Sequence, residues 1–221
     1  MTHLDSELKF LKEELVAMHR LVYSQVSKCK EALFRFDNDI SKEILVTEKR
    51  VNALELKIDR DCENILALFN PVAIDLRFVL AALKINSNLE RIGDNAEGIA
   101  RYVLDVKQPF PAELLERYHI KEMIDTCLSM LEDAITALEN EDTAAARKIF
   151  LKDDALDQIN RSVTATTIKL VEERNNMTLH FINLLSIVRK FERIGDQTKN
   201  ISEEIIFYIE AKVLRHGQNI N

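Results

Sequence analysis

The residues best placed to do chemistry come as one phrase written twice: Glu90-Arg91-Ile92-Gly93-Asp94 and Glu192-Arg193-Ile194-Gly195-Asp196, 102 residues apart. In each, two carboxylates stand at i and i+4, neighbours on one face of a helix. A glycine precedes the second carboxylate, where a helix disfavours it by about 1 kcal/mol relative to alanine. A second pair of phrases emerges at an offset of 105: Glu48 and Asn52 match Asp153 and Asp157, again at i and i+4. Each half thus offers two oxygen-bearing pairs, Glu48/Asn52 with Glu90/Asp94 and Asp153/Asp157 with Glu192/Asp196. Carboxylate and carbonyl oxygens converging with no cysteine and little histidine suit a hard cation: Mg, Ca, Mn or ferric Fe. Zinc fits less well, because it usually takes nitrogen or sulfur ligands. A lone carboxylate pair is ordinary in a chain that is 30% charged. Arg91 and Arg193 would serve as surface ion-pair partners for such a pair, worth about 0–1 kcal/mol each. Recurrence at matched positions separates these pairs from a plain solvated face.

Two helices must bring each set together. With Leu89 as the core direction, Glu90 and Asp94 point about 100–140° away, flanking the apolar seam. A cation held there would lie in a groove at the bundle surface, open to phosphate, water or a partner's carboxylate. The glycines admit a close neighbouring helix, which is what draws two helices' carboxylates to one ion.

Composition fixes the class of these elements. Average usage would place about 15 glycines and about 11 prolines in a chain of this length; it has 4 and 3. That leaves little turn chemistry for a β-rich fold, and long amphipathic helices follow. Apolar residues at steps of three and four mark a first helix over about 4–36 (Leu8, Leu11, Leu15, Met18, Val22, Val26, Cys29, Leu33). Asp37-Asn38-Asp39 supplies turn and cap chemistry, and a second helix runs over about 40–69. Asn70-Pro71 breaks the chain, with the proline placed to open a third helix to about Val106. Its seam is Phe78, Ala82, Ile85, Leu89, Ile92, Ala96, Ile99 and Val103. Pro109 and Pro111 mark the internal boundary. A fourth helix is expected over about 111–139, a fifth to about Glu173, and a sixth capped by Thr178, with seam residues Leu184, Ile187, Phe191, Ile194, Thr198, Ile201 and Ile205. Gly217 lies in a tail expected to fray.

The earlier helices align at 105 and the doubled phrase at 102, so the second half lacks three residues in a turn, Asn175-Asn176 against Asn70-Pro71. The expected architecture is all-α: six long helices in two pseudo-symmetric three-helix units, residues 1–108 and 109–221, each up-down-up.

Net charge is −7. This argues against nucleic acid as the main partner, since duplex binding rests on cationic contacts to phosphate. Cys29, Cys62 and Cys127 are widely spaced and odd in number, reading as buried thiols of a reducing compartment. With no long apolar run, a soluble cytoplasmic protein without membrane insertion is expected. Glu116-x-x-His119 has the spacing of a di-iron ligand pair, but such bundles need two of these motifs and further glutamates. His19, His180 and His216 lack partners at ligand spacing, and no phosphate loop or nucleophile motif occurs. An enzyme is therefore not expected.

The repeated E-R-I-G-D phrases, the stretch Pro71-Val72-Ala73-Ile74-Asp75-Leu76-Arg77 and the terminal Arg215-His216 together resemble the PhoU family of phosphate-uptake regulators. The resemblance runs from about Leu4 to His216. It implies two three-helix bundles in a cytoplasmic protein, commonly a homodimer, with metal held through E/D-x-x-x-D motifs. The implied ligands are Glu90, Asp94, Asp153, Asp157, Glu192 and Asp196, with Glu48 and Asn52 joining them. The implied role is negative regulation, as an adaptor between a phosphate ABC transporter, through its ATPase subunit, and the sensor histidine kinase of phosphate starvation. Alternatives are an accessory protein of an ion-coupled phosphate transporter and a carboxylate-bridged di-iron enzyme. The chain departs from the family pattern at Asn52, at Gly98 (Asn200 in the second copy) and at Gln197, where histidine is frequent. With acids at all four positions, the half built on Glu192 and Asp196 is expected to hold metal more tightly.

Overall fold

The computed structural model describes residues 2–213; Arg215, His216 and Gly217 lie outside them. Among the described residues seven α-helices follow one another: α1 (His3–Arg35), α2 (Asn38–Phe69), α3 (Ala73–Asp105), α4 (Ala112–Arg117), α5 (Ile120–Asn140), α6 (Thr143–Glu173) and α7 (Thr178–Glu210). Six are long, and the all-α expectation holds. The residues read as seams are the buried ones: every named position from Phe78 to Val103 on α3 and from Leu184 to Ile205 on α7 lies in the core. A core of this continuity supplies most of the stability of long helices, whose intrinsic propensities are weak.

The duplication is visible in how the helices begin. At the α1–α2 junction Phe36 takes a left-handed φ of 53°, the Asp37 N–H reaches back to the Ala32 carbonyl, and the Asp37 carboxylate accepts from the N–H groups of Asp39 and Ile40 at 2.9 and 3.0 Å. At the α5–α6 junction Glu141 has a φ of 56°, the Asp142 N–H reaches Ala137, and the Asp142 carboxylate accepts from Ala144 and Ala145 at 2.9 and 3.1 Å. Both turns close one helix with a left-handed residue and cap the next with aspartate, 105 residues apart.

Three boundaries differ from the sequence reading. The helix expected over 111–139 is broken after Arg117, because His119 takes a left-handed φ of 53° and α5 restarts at Ile120. Tyr118, fully buried and hydrogen-bonded to the Thr167 hydroxyl at 2.9 Å, anchors the break. The third helix opens two residues after Pro71, at Ala73 (φ 50°). Thr178 is the first residue of α7 rather than its cap, since a 3₁₀ turn over Asn175–Met177 leads into the helix.

α1, α2 and α3 pack on one another, as do α5, α6 and α7, and the two groups meet through α3 on α7 and α1 on α5. Lys84 pairs with Glu204, Asn88 faces Asn200 and Gly98 faces Lys190, so α3 and α7 run antiparallel. The second contact is pinned by His19, buried on α1, whose Nε2 lies 2.9 Å from the Leu131 carbonyl oxygen. This layout leaves α2 and α6 on the flanks, each forming a groove with the central helix that carries a doubled phrase.

Candidate metal centres

In the first groove Glu48 of α2 is buried, at 2% exposure, and faces Gly93 of α3. A side chain at Gly93 would place its Cβ 2.5 Å from Glu48 Oε2 and 3.2 Å from Gln25 Oε1. The oddly placed glycine therefore makes the space that the carboxylate fills. Gln25, buried on α1, donates from Nε2 to Glu48 Oε2 at 2.9 Å. Among the described residues Glu48 Oε1 has no hydrogen-bond partner. Burial pushes this carboxyl up from the ordinary 4.5 to about 7; the Gln25 hydrogen bond opposes the rise, and the charges of Asp94, Glu97 and Glu90 add to it. Burial also raises Glu90, with Asp94 and Glu55 contributing. Glu55, one turn beyond Asn52 on α2, is raised by burial and by Asp59 and Asp94. Four carboxylates thus lie around one groove, Glu48, Glu55, Glu90 and Asp94, with Glu97 beside them, while Asn52 is exposed.

The second groove repeats the plan with changes. Asp153 of α6 is buried beneath α7, where a Cβ at Gly195 would lie 3.4 Å from Asp153 Oδ1 and collide with the Leu156 methyl. Asp153 Oδ1 has no partner, but Oδ2 accepts from Lys199 Nζ at 2.6 Å. Burial raises the Asp153 carboxyl and Lys199 opposes it. Asp196 is raised by burial and by Asp153 and Asp157, with Lys199 again opposing. Glu192 is raised by burial, Asp196 and Asp157, against a hydrogen bond with Asn160. The paired carboxylates named from sequence are therefore neighbours in both halves.

Gln25, Glu55, Asn160 and Lys199 escaped the sequence reading, each with a signal. Gln25 is a polar residue inside an apolar seam, next to Val26. Lys199 lies three residues after Asp196, on the same face. Glu55 and Asn160 hold corresponding places three residues beyond Asn52 and Asp157. At each of these positions the two halves carry different residues.

Among the described residues no group of three His, Cys, Asp or Glu side chains is already drawn together at ion-binding spacing. The residues nevertheless suit a hard cation. Buried carboxylate oxygens without a partner are costly, and Glu48 Oε1 and Asp153 Oδ1 are two such atoms, each under a further set of acids. A divalent ion would satisfy the orphaned oxygen and neutralise the crowded charge at once, with Glu48, Glu90, Asp94 and Glu55 supplying oxygen ligands in the first half.

Other sequence candidates have structural explanations. Glu116 lies in the last turn of α4 and His119 at the break itself, 3.2 Å from Glu122, so the two do not form a helical ligand pair. His180 packs edge-on against Phe110, ring centres 5.6 Å apart. The three cysteines are buried and free. Gly98 lies under the Lys190 side chain, whereas its counterpart Asn200 meets Asn88 at 3.5 Å.

The doubled architecture matches known proteins. A family model described as the PhoU domain matches twice, over residues 15–103 and 120–205. A phosphate-specific transport system accessory protein PhoU homolog from Burkholderia sp is 32% identical, over 96% of this chain and 91% of that protein. The Escherichia coli K12 protein of the corresponding name is 30% identical, over 96% of this chain and 87% of its own length. Crystal structures of PhoU from Pseudomonas aeruginosa and of the phosphate transport system regulatory protein PhoU from Streptococcus pneumoniae superpose with TM-scores of 0.89 and 0.87. They are 27% and 29% identical and cover 95% and 97% of this chain and all of theirs. With two matched domains, two grooves built on one plan and likeness over nearly the whole length, the chain belongs to the PhoU family.

Proposed function

We propose that this protein is a metal-binding negative regulator of phosphate uptake and phosphate-starvation signalling. In this reading it works without catalysis, as a homodimeric cytoplasmic adaptor between a phosphate ABC transporter, engaged at its ATPase subunit, and a sensor histidine kinase. Family membership supports the regulatory part, since the relatives are named accessory proteins of phosphate-specific transport. Among the described residues no helix is long and apolar enough to cross a membrane, consistent with action at a transporter through contact. The metal part is carried by one observation: Glu48, buried under Glu90 and Asp94, keeps an oxygen with no partner. The ion is of the Mg, Mn, Ca or Fe type, held by oxygens, with zinc less suited.

The regulatory reading is tested in the source organism. Deleting the gene should switch on phosphate-starvation genes while phosphate is plentiful, and a Glu90→Gln, Asp94→Asn copy should restore repression poorly. Unchanged expression after deletion would remove the regulatory reading. If the deletion instead altered only uptake by an ion-coupled phosphate carrier, the protein would serve that carrier.

A further inference from the structure

The two grooves differ at one charged position. Helix α7 carries Lys199 three residues after Asp196; the matching residue on α3, three after Asp94, is Glu97. In the second groove the Lys199 ammonium lies inside the acid cluster, 2.6 Å from Oδ2 of buried Asp153. In the first groove Glu97 turns to Arg101 one helical turn on, at 2.8 Å, and among the described residues no lysine bonds Glu48. Glu55 further balances the halves: it supplies in the first groove the carboxylate that Asn52 lacks, while Asn160 stands in its place in the second. Each groove then has four carboxylates and an arginine within its doubled phrase, but among the described residues it is in the second that a lysine bonds the buried carboxylate.

We infer that the halves have diverged in what neutralises them: the first groove, on Glu48, Glu55, Glu90 and Asp94, takes an added divalent ion, and the second is filled by Lys199. This rests on the metal-binding reading above and reverses the order that acid count at the doubled positions suggests. The physical ground is competition for one site. An ammonium at hydrogen-bond distance from the buried carboxylate satisfies the oxygen a cation would take, and its like charge repels the ion. The unpartnered Glu48 Oε1, nine-tenths and more buried, faces no such rival. The remaining orphan in the second groove, Asp153 Oδ1, is one oxygen of a carboxylate already held by Lys199.

Titration of the metal-stripped full chain with Mn²⁺, followed by calorimetry and by native mass spectrometry, tests this. The unaltered protein should take a single tight equivalent, lost in Glu90→Gln and kept in Glu192→Gln. Lys199→Met should add a second equivalent, lost again on combination with Glu192→Gln. The reciprocal change, Glu97→Lys, should weaken the first equivalent by at least ~10-fold, and it guards against poor folding of Lys199→Met, in which Asp153 loses its partner. Two tight equivalents in the unaltered protein, or loss of the single one in Glu192→Gln but not in Glu90→Gln, would overturn the inference while metal binding stands. No Mn²⁺ in any variant would overturn the metal-binding reading itself.

Discussion

Glu48→Gln should stabilise the metal-free protein at alkaline pH while abolishing its response to metal. The carboxyl is 2% exposed, and its titration is displaced from 4.5 to about 7 by burial first and by neighbouring acids after. A folded-state value above the unfolded one means that the native protein binds the extra proton between pH 4.5 and about 7. Stability from this group is therefore greatest at acid pH and is lost as pH rises through 7. At about 1.4 kcal/mol per pH unit, the full loss is about 3 kcal/mol. Glutamine keeps the shape and an oxygen for the Gln25 Nε2 hydrogen bond, but carries no charge. Urea unfolding of parent and variant in chelator, from pH 4.5 to 8.5, isolates the effect of Glu48 and the acids coupled to it, because titrating groups remote from the groove cancel in the difference. The variant should be the more stable by up to about 3 kcal/mol at high pH, with the advantage vanishing near pH 4.5. With Mn²⁺ at 100 times its dissociation constant the parent alone should gain about 2.7 kcal/mol. A variant less stable than the parent at pH 8 in chelator, or a difference that does not change with pH, would show that Glu48 is not a destabilising buried charge.

His19 should give the opposite slope. Burial draws its imidazole from 6.5 down to about 4, against the hydrogen bond to Leu131, so the unfolded chain is the better proton binder in that window. Its contribution is present above pH 6.5 and lost as pH falls towards 4, up to about 3 kcal/mol; in the Glu48→Gln background, urea midpoints should fall with acid, and His19→Gln should flatten the fall. Gly93→Ala puts a methyl 2.5 Å from Glu48 Oε2 and should cost about 1–3 kcal/mol by urea unfolding, weakening Mn²⁺ binding in calorimetry as well. Asp37→Ala and Asp142→Ala each remove an N-cap with two backbone partners. Each should lower stability by about 1 kcal/mol, and the double variant by the sum, because the turns lie in different halves.

The six long helices and the core were legible because the seams of α3 and α7 are regular and every named seam position on them is buried. The aspartate cap of α2 was legible because short polar side chains before an apolar-periodic run have one common use. The break at His119 was not: a non-glycine residue in left-handed geometry has no strong local signal, and here the burial of Tyr118 against Thr167 imposes it. The paired carboxylates were legible through repetition, which picks out equal residues. The determinants of charge balance are the unequal ones, Glu97 against Lys199 and Glu55 against Asn160, and Gln25 is a partner from a third helix. Such residues show their roles only once α1, α2 and α3 are packed.

A divalent cation in the groove between α2 and α3, on Glu48, Glu90 and Asp94, is visible to anomalous diffraction. Crystals grown with Mn²⁺ and measured at an X-ray energy where manganese scatters anomalously should show a peak in that groove. It should lie at about 2.0–2.6 Å from carboxylate oxygens that include the now unpartnered Glu48 Oε1. An anomalous map with no peak there, from protein saturated with Mn²⁺, would rule out this metal site.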